Sequence, residues 1–118
     1  MKNTAYFCME FGIDQMLKTY AGGLGYLAGS HFRSAYNLNL PLVGVSMLWS
    51  YGYYDQIRDK EGRMKVHFVR KYYEFLEDID LKVPVKIDGS TVWVKAYKLN
   101  SDVFGTCPIY FLTTDIPE

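Results

Sequence analysis

Cysteine, an excess of either charge and long apolar runs are all scarce in this chain. Its two cysteines, Cys8 and Cys107, stand 99 positions apart in 118 residues. That makes neither a disulfide framework nor a metal knuckle, and a pair of reduced thiols is the expectation. The 13 Lys and Arg are matched by 13 Asp and Glu, so the basic footprint of a nucleic-acid or anionic-membrane binder is missing. The longest uncharged stretch, Ser34 to Tyr54, is interrupted by Asn37, Asn39, Pro41, Ser46 and Ser50. Only Leu40 to Trp49 is strongly apolar, against the about 20 residues a spanning helix needs. Met1 to Ala5 carries one charge and no apolar run, which does not suit a signal peptide, and a cytoplasmic location is expected.

What is present is a core. Hydrophobic residues make up 49% of the chain, with seven Phe, two Trp and eleven Tyr, which argues against disorder. A chain of this size buries roughly two-thirds of the surface it exposes when unfolded, enough for one core. Residues 1–57 hold 3 basic and 3 acidic side chains but seven of the ten glycines, whereas 58–118 hold 10 of each charge. A charge-poor, glycine-rich half suits close backbone approach, so any site belongs there.

The expected organisation is a single incomplete domain over 1–118: a strand-helix-strand unit (1–57), a β-rich insertion (58–108) and a returning strand (109–118). Thr4 to Met9 favours a strand. From Leu24 the apolar positions Leu24, Leu27, Ala28, Ala35 and Leu38 fall at helical spacing, and Asn37 to Pro41 stops the helix. Pro41 to Trp49 is a continuous apolar run of the kind buried on both faces of a parallel sheet. Val83, Val85 and Ile87 alternate with Lys82, Pro84 and Lys86, Asp88-Gly89 turns, and Thr91 to Leu99 returns as an antiparallel partner. Val66 to Leu76 carries mixed signals. Val66 and Phe68 alternate like a strand, while Val69, Tyr72, Tyr73 and Leu76 are spaced like a helix. The class is α/β with an antiparallel β insertion.

The most informative segment is Ala21-Gly22-Gly23-Leu24-Gly25, between a loop and a helix. Consecutive glycines admit a ligand close to the backbone, and the first N–H groups of a helix lack internal acceptors, so an anion such as phosphate suits this geometry. The alternative is a glycine turn that packs the helix on the sheet. Gly23, Gly25 and Gly29 do not make a dinucleotide fingerprint, because the strand ends near Met9 and no acid occurs between Asp14 and Asp55. Tyr26-Leu27 after Gly25 also excludes a nucleotide P-loop. Glu10 is embedded in apolar sequence; accepting hydrogen bonds from the glycine loop is the favoured reading over acid–base work. His31, on the same helix, either faces a bound phosphate or packs, and packing is favoured. Cys8 with His31 lacks a third orienting group, so a thiol nucleophile is not expected. Tyr20, Tyr26, Trp49, Tyr51, Tyr53 and Tyr54 flank the loop and the apolar strand, and rings of this kind stack on sugars. No catalytic residue and no metal ligand is assigned.

Tyr6-Phe7-Cys8-Met9-Glu10-Phe11-Gly12, Tyr20 to Gly29, Leu40 to Val45 and Gly52 to Gln56 together resemble the N-terminal portion of the α-glucan (glycogen, maltodextrin) phosphorylases, in the order and spacing of the shorter bacterial and archaeal branch. The resemblance continues through Val92 to Ala96 and Ile109 to Glu118. It implies a partial Rossmann-like N-terminal domain of a B-type glycosyltransferase fold. It also implies phosphorolysis of α-1,4-glucan to glucose 1-phosphate. The glycine loop Gly22, Gly23, Leu24 and Gly25 would bind substrate phosphate and the glucosyl unit, with Glu10 and His31 supporting the pocket.

Pyridoxal phosphate is the cofactor implied for the complete enzyme, but none of the nine lysines lies in its lysine motif. The implied partners are α-1,4-glucan, phosphate or glucose 1-phosphate, with a missing C-terminal half or self-association also in view. Two residues depart from the branch: Cys8 stands where Ser is common, and Ser30 where Asp is common, which removes a carboxylate near the pocket. On this reading the chain alone is inactive. The alternative is a non-catalytic glucan or sugar-phosphate binding module. A synthase-type transferase is disfavoured, because that family places Lys before its glycine loop and this chain has Tyr20-Ala21.

Overall fold

A computed structural model describes residues 2–51, 54–68, 70–71 and 73–116. The expectations placed on Gly52, Tyr53, Val69, Tyr72, Pro117 and Glu118 lie outside the described residues.

Strand β1 (Thr4–Phe7), helix α1 (Gly23–Asn37) and strand β2 (Leu42–Met47) form the first unit, with β1 and β2 parallel. A two-stranded antiparallel hairpin follows, β3 (Asp55–Arg58) and β4 (Met64–His67), which crosses the division drawn between residues 57 and 58. A long hairpin, β5 (Glu77–Ile87) and β6 (Ser90–Leu99), turns at Asp88-Gly89. Both turn residues have positive φ, 50° and 78°, the backbone that a two-residue hairpin turn requires and that Asp-Gly tolerates. A short helix α2 (Ser101–Phe104) leads into β7 (Ile109–Thr113). The sheet order is β1-β2-β7-β6-β5: β7 runs parallel to β2 and antiparallel to β6. The β5-β6 hairpin therefore extends the same sheet, whereas β3 and β4 form a two-stranded sheet of their own.

Helix α1 stops where Asn37 to Pro41 predicts. Asn39 takes a left-handed φ of 54°, its N–H donates to the Tyr36 carbonyl at 3.0 Å, and Leu40 N–H donates to Ala35 at 3.0 Å. This is a Schellman ending with asparagine where glycine is usual.

Two expectations are corrected. The buried face of α1 is Gly25, Ala28, Gly29, Phe32 and Ala35, whereas Leu24, Leu27 and Leu38 are exposed. The helix lies so close to its neighbours that small residues, not leucines, must form the contact. A β-carbon on Gly29 would stand 2.2 Å from the Gly12 carbonyl oxygen, and one on Gly44 of β2 would stand 2.7 Å from the Phe32 ring. Second, β2 is not buried on both faces. Leu42, Gly44 and Ser46 are buried beneath α1, while Val43 and Val45 are half-buried and Met47 is exposed, because one layer of helix covers one side only. The core comprises Phe11, Ile13 and Leu17 of the first loop with Phe32, Leu76, Leu99, Ile109 and Phe111. Among the described residues no helix is long and apolar enough to cross a membrane.

Candidate functional site

The loop between β1 and α1 is held from inside. Phe11, Ile13, Leu17 and Thr19 are buried, and Thr19 Oγ1 donates to the Phe11 carbonyl at 3.3 Å. Gly12 N–H donates to the Gly25 carbonyl at 2.8 Å, tying the loop to the first turn of the helix. Arg33 of α1 donates to the Ile13 carbonyl from one guanidinium nitrogen and to the Phe104 carbonyl at 3.3 Å from the other. A guanidinium holding two carbonyls ties α1 to the first loop and to α2.

Within this frame the glycines divide by cause. A β-carbon on Gly25 would meet Tyr20 Cβ at 2.6 Å, so Gly25, like Gly29, is required by close packing. Gly22 and Gly23 have nothing within 4 Å of that position. Gly22 is the N-cap, extended at φ −154°, and offers no side-chain cap; the first turn carries no acidic residue. The helix thus starts on an open approach, with free space at the β-carbon positions of Gly22 and Gly23 and no side chain on the N-cap residue itself.

Glu10 is brought to this place. Its Oε2 accepts from Ala21 N–H at 3.4 Å and lies 3.2 Å from the β-carbon position of Gly25. His31 is not brought there. Eight residues into the helix from Gly23, about 12 Å along its axis, it packs its ring 5.6 Å from Tyr6 of β1 and 6.2 Å from Phe32. Tyr20 and Tyr26 meet edge to face at 5.5 Å beside Gly25, and burial pushes the Tyr20 hydroxyl above its ordinary pKa. Trp49 Nε1 donates to the Met9 carbonyl at 3.3 Å, pinning the exit of β2 to that of β1. Tyr54 stacks edge to face on Phe68 at 5.6 Å, and Tyr51 is exposed.

The structure adds a feature the sequence did not signal. Asp55 accepts from Lys71 Nζ at 2.7 Å and from Lys18 Nζ at 3.4 Å, joining the first loop, the β3 hairpin and the segment before β5. The Lys71 hydrogen bond, with Lys18 adding its charge and partial burial opposing both, holds the Asp55 carboxyl below its usual range. Two cavities of about 420 Å³ flank the bridge. One is lined by Gln15, Lys18, Tyr20, Tyr54 and Asp55; the other includes Ser50, Lys71, Tyr73 and Asp115, with Asp115 ion-paired to Arg70. Asp55 follows a long uncharged stretch, but its partners lie 37 and 16 residues away with no periodic relation to it. Only the tertiary fold brings them together.

No family model matches the chain. It is 80% identical to an uncharacterized protein of Methanocaldococcus jannaschii over all 118 residues, which make up 23% of that protein. It is 33% identical to a maltodextrin phosphorylase of Thermococcus litoralis over 96% of the chain and 14% of the relative. With a glycogen phosphorylase of Mycobacterium tuberculosis the identity is 32%, over 97% of the chain and 14% of the relative. The chain is homologous over nearly its whole length to the N-terminal portion of the glycogen and maltodextrin phosphorylases. It spans less than a quarter of the length of each of these relatives. The phosphorylase relation supports the N-terminal portion of a B-type glycosyltransferase fold, and the structure itself is mixed α/β, a five-stranded mixed sheet with a small antiparallel hairpin.

Proposed function

We propose that this chain is the segment of an α-glucan phosphorylase that supplies the glycine loop for the substrate phosphate and glucosyl unit. The observation that carries the reading is the division of the glycines. Packing accounts for Gly25 and Gly29 but not for Gly22 and Gly23, which lie on an open helix start with no side-chain cap. Similarity to the maltodextrin and glycogen phosphorylases supports the same assignment.

In the reaction, phosphate takes the terminal glucosyl group of an α-1,4-glucan. The C1–O4 bond breaks, a C1–O bond to phosphate forms, and a proton passes to the departing O4. The part of this chain is electrostatic. N–H groups of Gly23, Leu24 and Gly25, aligned at a helix N-terminus, face negative charge without reorganising during the step. Glu10 positions the loop by accepting from Ala21 N–H, and Tyr26 offers a ring at the entrance.

Pyridoxal phosphate would supply its own phosphate group in the complete enzyme. The nearly buried lysines here, Lys71 and Lys95, are ion-paired to Asp55 and Asp78, and the hydrogen bond to Asp78 raises the Lys95 amine above its ordinary value. Neither suits the cofactor's aldehyde.

The test has two arms. Titrating the 118-residue chain with glucose 1-phosphate is expected to move the amide resonances of Gly22 to Gly25, and Gly23→Ala is expected to weaken that response with the fold unchanged. Shifts elsewhere only would remove the assignment. The chain alone is expected to release no glucose 1-phosphate from maltoheptaose and phosphate; a response at the glycine loop with no enzyme activity on fusion to the remainder of a relative would favour a sugar-phosphate binding module.

A further inference from the structure

The parallel strands β2 and β7 end side by side, and Leu48 N–H, just past β2, still donates to the Leu112 carbonyl at 2.8 Å. In open α/β sheets, ligands bind outside the carboxyl ends of such strands. One of the two cavities beside the Asp55 bridge lies here, bounded by Leu48 and Ser50 after β2 and by Thr113 and Asp115 at the end of β7. Its volume of about 420 Å³ is within the range of about 300–1,000 Å³ usual for small-molecule sites. None of its lining residues belongs to the glycine loop.

The polar groups of the lining are already matched in charge. Arg70 is ion-paired to Asp115, which also accepts from Ser50 Oγ at 2.9 Å, and Lys71 Nζ donates to Asp55 at 2.7 Å. An anion would have to displace a carboxylate to reach either cation, and an uncharged ligand does not. Hydroxyl groups both donate and accept, so they can add to the Ser50–Asp115–Arg70 cluster without breaking it. Leu48, Leu76 and the ring of Tyr97 supply apolar surface beside these groups. Tyr73, also in the lining, is the second observation. Its ring is held edge to face on Phe75 at 5.9 Å, and its hydroxyl, closed off from solvent, lies near the Lys18 backbone but completes no hydrogen bond there. Burial pushes that hydroxyl above its ordinary pKa, so at neutral pH it is a protonated donor. A buried hydroxyl without a partner is destabilising, and a ligand oxygen within reach relieves it.

We propose that this cavity binds an uncharged pyranose ring, with a ring hydroxyl on Tyr73, others on Ser50 and Asp115, and the C–H face against Tyr97. The site is additional to the contacts proposed for the glycine loop and does not depend on them.

The test follows the amide resonances of the 118-residue chain during titration with methyl α-glucoside, maltose and inorganic phosphate. Both sugars are expected to move Ser50, Thr113 and Asp115, and phosphate is expected to leave them in place. Tighter binding of maltose would mark the end of a glucan chain as the source of the ring, and equal binding a free monosaccharide. Tyr73→Phe is expected to weaken sugar binding about fivefold, the loss of one hydrogen bond, without lowering the melting temperature of the free chain. No response at these three amides up to about 0.1 M sugar, where even a site of about 10 mM would be filled, would overturn the proposal. So would an equal response to phosphate, or Tyr73→Phe binding sugar as the parent does. A lowered melting temperature in Tyr73→Phe would give that hydroxyl to the fold instead of a ligand. A response to sugar confined to Gly22 to Gly25 would remove this site and leave the glycine-loop reading standing.

Discussion

Gly29 and Gly12 meet backbone to backbone: a β-carbon on Gly29 would stand 2.2 Å from the Gly12 carbonyl oxygen and 2.9 Å from its carbon. Neither atom belongs to a side chain that can swing away. Gly29→Ala must therefore push α1 off the loop that positions Glu10, and a loss of about 2–3 kcal/mol is expected, as for overpacking of a rigid contact. Gly23→Ala, with open space around it, should change stability by less than about 1 kcal/mol. Urea denaturation of the two variants checks both, and comparable losses would remove the distinction between packing glycines and ligand glycines.

Phe111 is fully buried on β7, in register with Ser46 of β2 and Tyr97 of β6. Phe111→Ala is expected to cost about 3–5 kcal/mol through lost burial and the cavity left behind. A loss below 1 kcal/mol in chemical denaturation would mean that β7 is not the centre of the sheet.

Asp55 gives a pH dependence with a definite sign. Its folded pKa lies below the ordinary value of 3.8, chiefly through the Lys71 hydrogen bond. The associated stability is fully present above that ordinary value and is lost as pH falls through the lowered folded value. Asp55→Asn is expected to melt at lower temperature than the parent at pH 7, with the gap closing below about pH 3.8. A gap that persists unchanged at pH 2.5 would contradict the ion-pair assignment.

The two free thiols should separate cleanly. Cys107 is 3% exposed, its Sγ lies 3.8 Å from the Leu40 carbonyl oxygen, and burial pushes its pKa up. Cys8 is half-exposed. Iodoacetamide at pH 8 is expected to modify Cys8 at least tenfold faster, read by peptide mass spectrometry.

Much of the architecture was legible because local chemistry carried it. Asp88-Gly89 announced a hairpin, Asn37 to Pro41 announced the end of α1, and Ile109 to Thr113 read as a returning strand. The helix was legible but its inward face was not. Leucine spacing pointed to Leu24, Leu27 and Leu38, whereas the distance between α1 and Gly12 selects for Gly25, Ala28 and Gly29. Helical periodicity reports where apolar residues recur, not how near the next backbone lies. At the candidate site, Glu10 and the glycines were legible from burial and turn chemistry; the Lys18–Asp55–Lys71 bridge was not, since ion pairs across 37 and 16 residues leave no local signature.

Strand β7 occupies the middle of the sheet although it follows the other described strands in sequence. Among the described residues it is the sole seam between the β1-α1-β2 unit and the β5-β6 hairpin, which share no direct strand pairing there. During synthesis neither half can gain a sheet neighbour from the other until residues 109–113 emerge, so the two wait as separate pieces with open edges. Cleavage just before Ile109 would thus leave the β1-α1-β2 unit and the β5-β6 hairpin without the strand that joins them.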